Sequence, residues 1–389
     1  MKYDFDQVIS RRHSDSIKWN VEDNELPMWV ADMDFKTAPE ITKALQKRVE
    51  QGIYGYTEPD DSWYDAYISF FKDRYDFIFD KEDLVFSLGV VPTISSTVRK
   101  ITNVGDNVVV LSPVYNIFYN SIVNNNRKVL EVPLIYKNYQ YSIDFFALEE
   151  AFKLDNTSLL IFCNPANPIS KIWSKEDMIK IGELANKYNV KVISDEIHCQ
   201  LTRPGTKYIP FAMASNINKD ISITCIAPTK AFNLAGIHSS AIVIFNKDLR
   251  KKVVRQINTD EVAEPNIFSC IASTAAFNEG REYLDQLREY LFSNRDYVKE
   301  YISKNIPSIH LIDGDATYLL WLDVSSVSKD SDILASFIRE NTGLFLSKGS
   351  VYGKGGQGFL RMNVACPKET LIDGLNRLKK GIELFLNQK

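Results

Sequence analysis

Four short apolar runs constrain this chain more than any other feature: NVVVLSP at 107–113, SLLIFCNP at 158–165, VKVISDE at 190–196 and ISITCIAP at 221–228. Each is continuous, rich in β-branched residues and closed by a polar or turn-forming residue, the mark of a strand buried on both faces. The segments between them carry helical periodicity. The clearest is KEDMIKIGELANKYN at 175–189, where Ser174 followed by Asp177 predicts a capped start. Strand and helix in alternation predict an α/β fold, a mostly parallel sheet covered by helices on both faces. Ligands of such sheets bind at the carboxyl ends of the strands. The residues just past each run are therefore the candidates for chemistry.

The last third changes character. A charged helical stretch at about 278–304 precedes IHLIDGDATYLLWLDV (309–324), a helix over 331–342, and the segments GLFLSKG and FLRMNVACP. This pattern predicts a smaller α+β domain over 286–389 beside a large domain over 46–285. Residues 1–45 show little periodicity and are expected to pack on the small domain. A chain of 389 residues has room for that many units. A net charge of −4 gives no basic footprint for nucleic acid. No run approaches the roughly 20 apolar residues of a membrane span, and MKYDFDQVISRRH lacks the apolar core of a signal peptide. A cytoplasmic protein with neither membrane nor nucleic-acid partner is expected. Cys163, Cys199, Cys225, Cys270 and Cys366 are scattered without a CxxC, which argues against a metal site or a disulfide framework.

The strand ends hold unusual residues. Lys230 follows ISITCIAP among small and apolar neighbours, where an amine has a lowered pKa and acts as a nucleophile toward carbonyls. Asp195 closes VKVISDE, where a carboxylate is costly unless paired; it would keep a pyridinium nitrogen protonated. His198 lies three residues on. The Asn-Pro pairs of 164–168 follow SLLIFC, mark turns, and offer an Asn amide to a phenolic oxygen. Gly89-Val90-Val91-Pro92 stands at a strand-to-helix joint, where free N–H groups favour phosphate. Tyr115 follows VVVLSP and suits a planar ring. Arg361 alternates with apolar residues on a strand and needs an anion, for which a carboxylate is the natural match. Taken singly, each has an ordinary structural reading: a solvated lysine, a strand-end cap, a turn, a core aromatic, a salt bridge.

In this order the residues resemble the fold-type I pyridoxal 5′-phosphate (PLP) enzymes of the class I/II aminotransferase superfamily. Within it the chain is similar to the cystathionine β-lyase/C–S lyase subgroup of MalY/PatB type. The motifs are ELPMWVADMDF (25–35), YGYT (54–57), SLGVVPTIS (87–95), SPVY (112–115), CNPANP (163–168), SDEIHC (194–199), APTKAFNLAG (227–236), ATYLLWLDV (316–324) and FLRMNVACP (359–367). The resemblance implies that Lys230 joins the cofactor aldehyde covalently and later acts as general base. Asp195 would face the ring nitrogen, Asn167 and His198 the phenolic oxygen, and Tyr115 the ring. The Val90 and Val91 N–H groups and Thr229 would hold the phosphate, joined by Tyr56 of a second copy, so a homodimer is expected. Tyr56 or Tyr115 would assist departure of the thiolate. Arg361 would bind the substrate carboxylate, near Val30 and Ala31.

The implied reaction is β-elimination from cystathionine or a cysteine S-conjugate, giving a thiol, pyruvate and ammonia. An aminotransferase is the alternative, and a regulatory protein-binding role is a reading of another class. Ala166, Ser170 and Gln200 depart from the subgroup pattern and bear on substrate preference. His238 stands where aminotransferases often carry a phosphate-binding arginine.

Overall fold

The computed structural model describes residues 2–388. A seven-stranded sheet runs in the order Leu84–Ser87, Ser240–Val243, Ser222–Ile226, Lys191–Asp195, Thr157–Cys163, Asn107–Ser112, Lys128–Pro133. Ser240–Val243 alone is antiparallel to its neighbours; the other pairings are parallel. The four apolar runs supply four adjacent members. Their lack of alternation has a simple cause. Val108 and Val110 point into one core, with Ile161, Ile193 and Ile223. Val109 and Leu111 point into another, with Leu160, Phe162 and Val192. Both faces are covered, so neither is polar.

The helix predicted after Ser174 spans Lys175–Lys187, and the Ser174 side chain accepts from the Asp177 N–H at 3.0 Å. It stops two residues early because Asn189 adopts a left-handed conformation (φ 56°) and the Val190 N–H turns back to the Ala185 carbonyl. The charged stretch after 278 is the 25-residue helix Arg281–Asn305, separated from Ser269–Glu279 by Gly280. A Cβ at Gly280 would lie 2.6 Å from the Ala276 carbonyl oxygen and 2.7 Å from Phe232, so only glycine fits that joint.

A second, antiparallel sheet is ordered His310–Ile312, Leu319–Asp323, Phe359–Asn363, Ser347–Lys348. The 309–324 segment thus divides into two strands, and Trp321 pairs with Arg361. Near the chain's start, Leu26–Pro27 pairs in parallel with Leu344–Phe345, and the Asp34 N–H donates to Ala365. A helix over Pro39–Glu50, which the sequence reading did not foresee, follows directly. Ile41 is its one fully buried apolar side chain, and Ala44 and Leu45 at helical spacing pack against the same core.

Candidate active site

Parallel strands place their carboxyl ends together, and a cavity of about 250 Å³ opens there. Tyr115, Asn167, Asp195, His198, Thr229 and Lys230 all line it, Asp195 as the last residue of its strand and the others a few residues past a strand end. Val90 and Val91 line it from the first turn of the helix Val90–Ile101, whose N–H groups have no partner inside the helix. Ala31 closes the cavity from the N-terminal side.

Lys230 Nζ donates to the Ala31 carbonyl at 2.7 Å. Burial pushes its pKa down to about 8, and the Arg361 cation adds to this, against smaller opposing effects of Asp32 and Asp195. Asp195 is 4% exposed. Burial pushes its carboxyl up to about 6, offset in part by the Ile197 N–H, which donates at 3.1 Å, and by Lys230. His198 is buried and held near 3, first by desolvation and then by the Lys230 and Arg361 cations, so it is neutral. Its Nδ1 has no hydrogen-bond partner. Burial pushes the Tyr115 hydroxyl up to about 12, which keeps it protonated at neutral pH.

Arg361, on the strand Phe359–Asn363, is 5% exposed. Its Nη1 donates to Asn167 Oδ1 (3.1 Å) and its Nη2 to the Trp29 carbonyl (2.6 Å), while Nε has no partner. Among the described residues no carboxylate pairs with it. The buried guanidinium keeps unused donors for an incoming anion. Because Asn167 spends its oxygen on Arg361, its amide N–H groups are left to face the cavity.

Tyr56 is elsewhere. It is fully exposed on an extended segment that carries Ile53 and Tyr54, also exposed, and it does not reach the cavity of its own chain. Val30 does not line the cavity; its carbonyl, next to Ala31, accepts from Asn363 Nδ2 at 2.5 Å. Ala166, Ser170 and Gln200 are buried and none lines the cavity. The Ser170 hydroxyl instead donates to the Leu319 carbonyl of the second sheet. His238 does line the cavity. The sequence reading passed over Asn233, Tyr318 and Asn363, whose side chains hold the backbone around Ala31. A roomier groove of about 820 Å³ lies elsewhere, but its charges are largely paired with one another, as Arg203 is with Asp296.

The lining can be tested against an aldehyde cofactor that has a ring nitrogen at one end and a phosphate at the other. Asp195 is a buried carboxylate with one hydrogen bond and no contacting cation, as a ring N–H requires. His198 Nδ1 is an orphaned polar atom, and unpaired N–H groups at Val90 and Val91 suit a phosphate. These groups, with the Lys230 amine, fit PLP, and fold and cavity define a PLP-dependent enzyme. Residues 24–378 match the family described as aminotransferase class I and II, and the chain belongs to that family.

The chain is 39% identical over 384 residues to cystathionine beta-lyase PatB of Bacillus subtilis (strain 168), covering 97% of this chain and 99% of that one. It superposes on cystalysin from Treponema denticola, whose structure contains PLP, with a TM-score of 0.95 at 32% identity over the whole of both chains. The PLP-bound C–S lyase from Staphylococcus hominis gives 0.92 at 34% identity, over 98% of this chain and 99% of that one.

Proposed function

We propose that the chain is a PLP-dependent carbon–sulfur β-lyase, splitting cystathionine or another cysteine S-conjugate into a thiol, pyruvate and ammonia. The observation that carries this is likeness to C–S lyases along the full chain, combined with an amine tuned to about 8 beside a buried, acid-free guanidinium.

Bound PLP supplies an electrophilic aldehyde and a cationic ring that accepts the electron pair left when a bond to Cα breaks. Asp195 would hold the proton on the ring nitrogen. Val90, Val91 and Thr229 would hold the phosphate, Asn167 and His198 would serve the phenolic oxygen, and Tyr115 would pack against the ring. Arg361 anchors the substrate carboxylate beside the Val30–Ala31 backbone, which fixes Cα relative to Lys230. Lys230, once its nitrogen is free and neutral, removes the Cα proton. The Cβ–S bond then breaks and the thiolate leaves with its electron pair. The Tyr115 hydroxyl, still protonated, is available to assist it. Water then completes the release of pyruvate and ammonia.

Tyr56 reaches the phosphate only from a second copy of the chain, which requires a homodimer. The reading also treats 46–285 and 286–389 as the two domains, with 1–45 against the smaller, and places the protein in the cytoplasm. Among the described residues no helix is long and apolar enough to cross a membrane.

The test is pyruvate release from cystathionine, assayed beside keto-acid-dependent transamination. Wild-type protein should favour the first and show an absorbance band near the visible edge that borohydride removes. Lys230→Ala should lose both turnover and band; substantial turnover in that variant would overturn the assignment.

A further inference from the structure

Four consecutive backbone oxygens near the start of the chain are each taken by a side chain from far away. The Trp29 carbonyl accepts from Arg361 Nη2 at 2.6 Å. Those of Val30 and Asp32 share Asn363 Nδ2, at 2.5 and 2.6 Å. The Ala31 carbonyl accepts twice, from Lys230 Nζ at 2.7 Å and from the Tyr318 hydroxyl at 3.1 Å. One residue on, Met33 exchanges hydrogen bonds with the Asn233 amide, its N–H donating at 3.0 Å and its carbonyl accepting at 2.9 Å. With every flanking oxygen occupied, the Ala31 oxygen has a fixed address.

We propose that Tyr318 is a positioning residue for the proton-transferring lysine: it occupies one side of the Ala31 oxygen and thereby confines the released Lys230 amine to the other. A carbonyl oxygen has two lone pairs. Tyr318 is fully buried, next to the strand Leu319–Asp323, and burial holds its hydroxyl well above the ordinary range, so it is always a donor. The hydroxyl makes this one hydrogen bond. A phenylalanine would fill the same space, so the hydroxyl is present for the carbonyl it holds.

A neutral amine that gives one N–H to a fixed oxygen keeps its lone pair to the two remaining directions, and the lone pair is what takes the Cα proton. Without the hydroxyl the oxygen offers the amine two positions instead of one. A proton-transfer geometry loosened by a fraction of an ångström slows the chemical step and leaves substrate capture by Arg361 untouched.

The inference rests on the lyase reading, so wild-type turnover of cystathionine is measured alongside; if wild type is inactive, it is that reading which fails. In Tyr318→Phe, kcat is expected to fall roughly tenfold with KM within twofold. The isotope effect for substrate deuterated at Cα should rise, while the cofactor's absorbance and the melting temperature stay near wild type. A second readout needs no turnover. In the full chain stripped of cofactor, competitive acetylation followed by mass spectrometry reports the Lys230 pKa. It should rise in Tyr318→Phe, because the Ala31 oxygen then serves the ammonium alone. An unchanged kcat, a loss of kcat matched by a lower melting temperature, or an unmoved Lys230 pKa would each overturn the proposal.

Discussion

At the scale of single residues, the site is a set of charges taken out of water and balanced against one another. Lys230 and Asp195 are pushed in opposite directions, to about 8 and about 6, by the same desolvation. For Lys230 the charged form is the disfavoured one. The neutral amine therefore predominates above about pH 8, instead of above its ordinary 10.5. The rate at which the stripped chain captures PLP should follow that neutral fraction, rising about tenfold per pH unit below the pKa and flattening above pH 8. Stopped-flow absorbance measures it, and a rate still climbing at pH 10 would contradict the assignment. Lys230, Asp195 and Arg361 were legible in the sequence because a charge at the end of an apolar strand is conspicuous. Tyr318 and Asn363 were not, because a tyrosine or asparagine beside apolar residues reads as ordinary core or turn. What they do depends on a backbone some 300 residues away.

At the scale of elements, the strands were legible and the N-terminal segment was not. Buried strands announce themselves through continuous apolar composition, whereas residues 11–34 fold around charge. Lys18, 1% exposed, reaches Asp34 Oδ2 at 2.7 Å. Arg11 bridges Asp32 and Asp34 at 2.8 and 3.0 Å, and the Trp19 indole donates to Asp34 at 2.8 Å. Two acids against two bases make a neutral cluster, buried at Lys18 and Asp34 and part-exposed at Arg11 and Asp32, that a hydrophobicity reading scores as solvated surface. It pins the outer side of the loop whose inner side meets Lys230 and Arg361. Removing one partner of a buried pair leaves the other charge stranded. Lys18→Met should cost about 3 kcal/mol in urea unfolding, the low end of the usual range because Arg11 still faces Asp34. A cost below about 0.5 kcal/mol would mean that the cluster behaves like exposed ion pairs.

At the scale of the whole molecule, the α/β architecture and the second, antiparallel sheet follow from strand order and composition. Tyr56 lies away from the cavity of its own chain. It stands fully exposed beside Ile53 and Tyr54, an apolar display that one chain leaves largely open, with Phe268 touching only the Tyr54 ring. Sedimentation should give twice the 44.5 kDa chain mass. Tyr56→Phe should weaken PLP binding about tenfold, the worth of one hydrogen bond to a charged phosphate, without changing that mass. A monomer with undiminished cofactor affinity would contradict the shared site.

The hydrogen bond between Arg361 and Trp29 joins residues 332 positions apart. Contacts so distant in sequence form late, after much of the chain has been ordered. During synthesis, the lysine and the loop that seats it emerge from the ribosome well before the strand that carries Arg361 and Asn363. A nascent chain therefore holds its reactive amine against an unanchored loop until translation is nearly over, and it is substrate capture by Arg361 that must wait for the final segment to arrive.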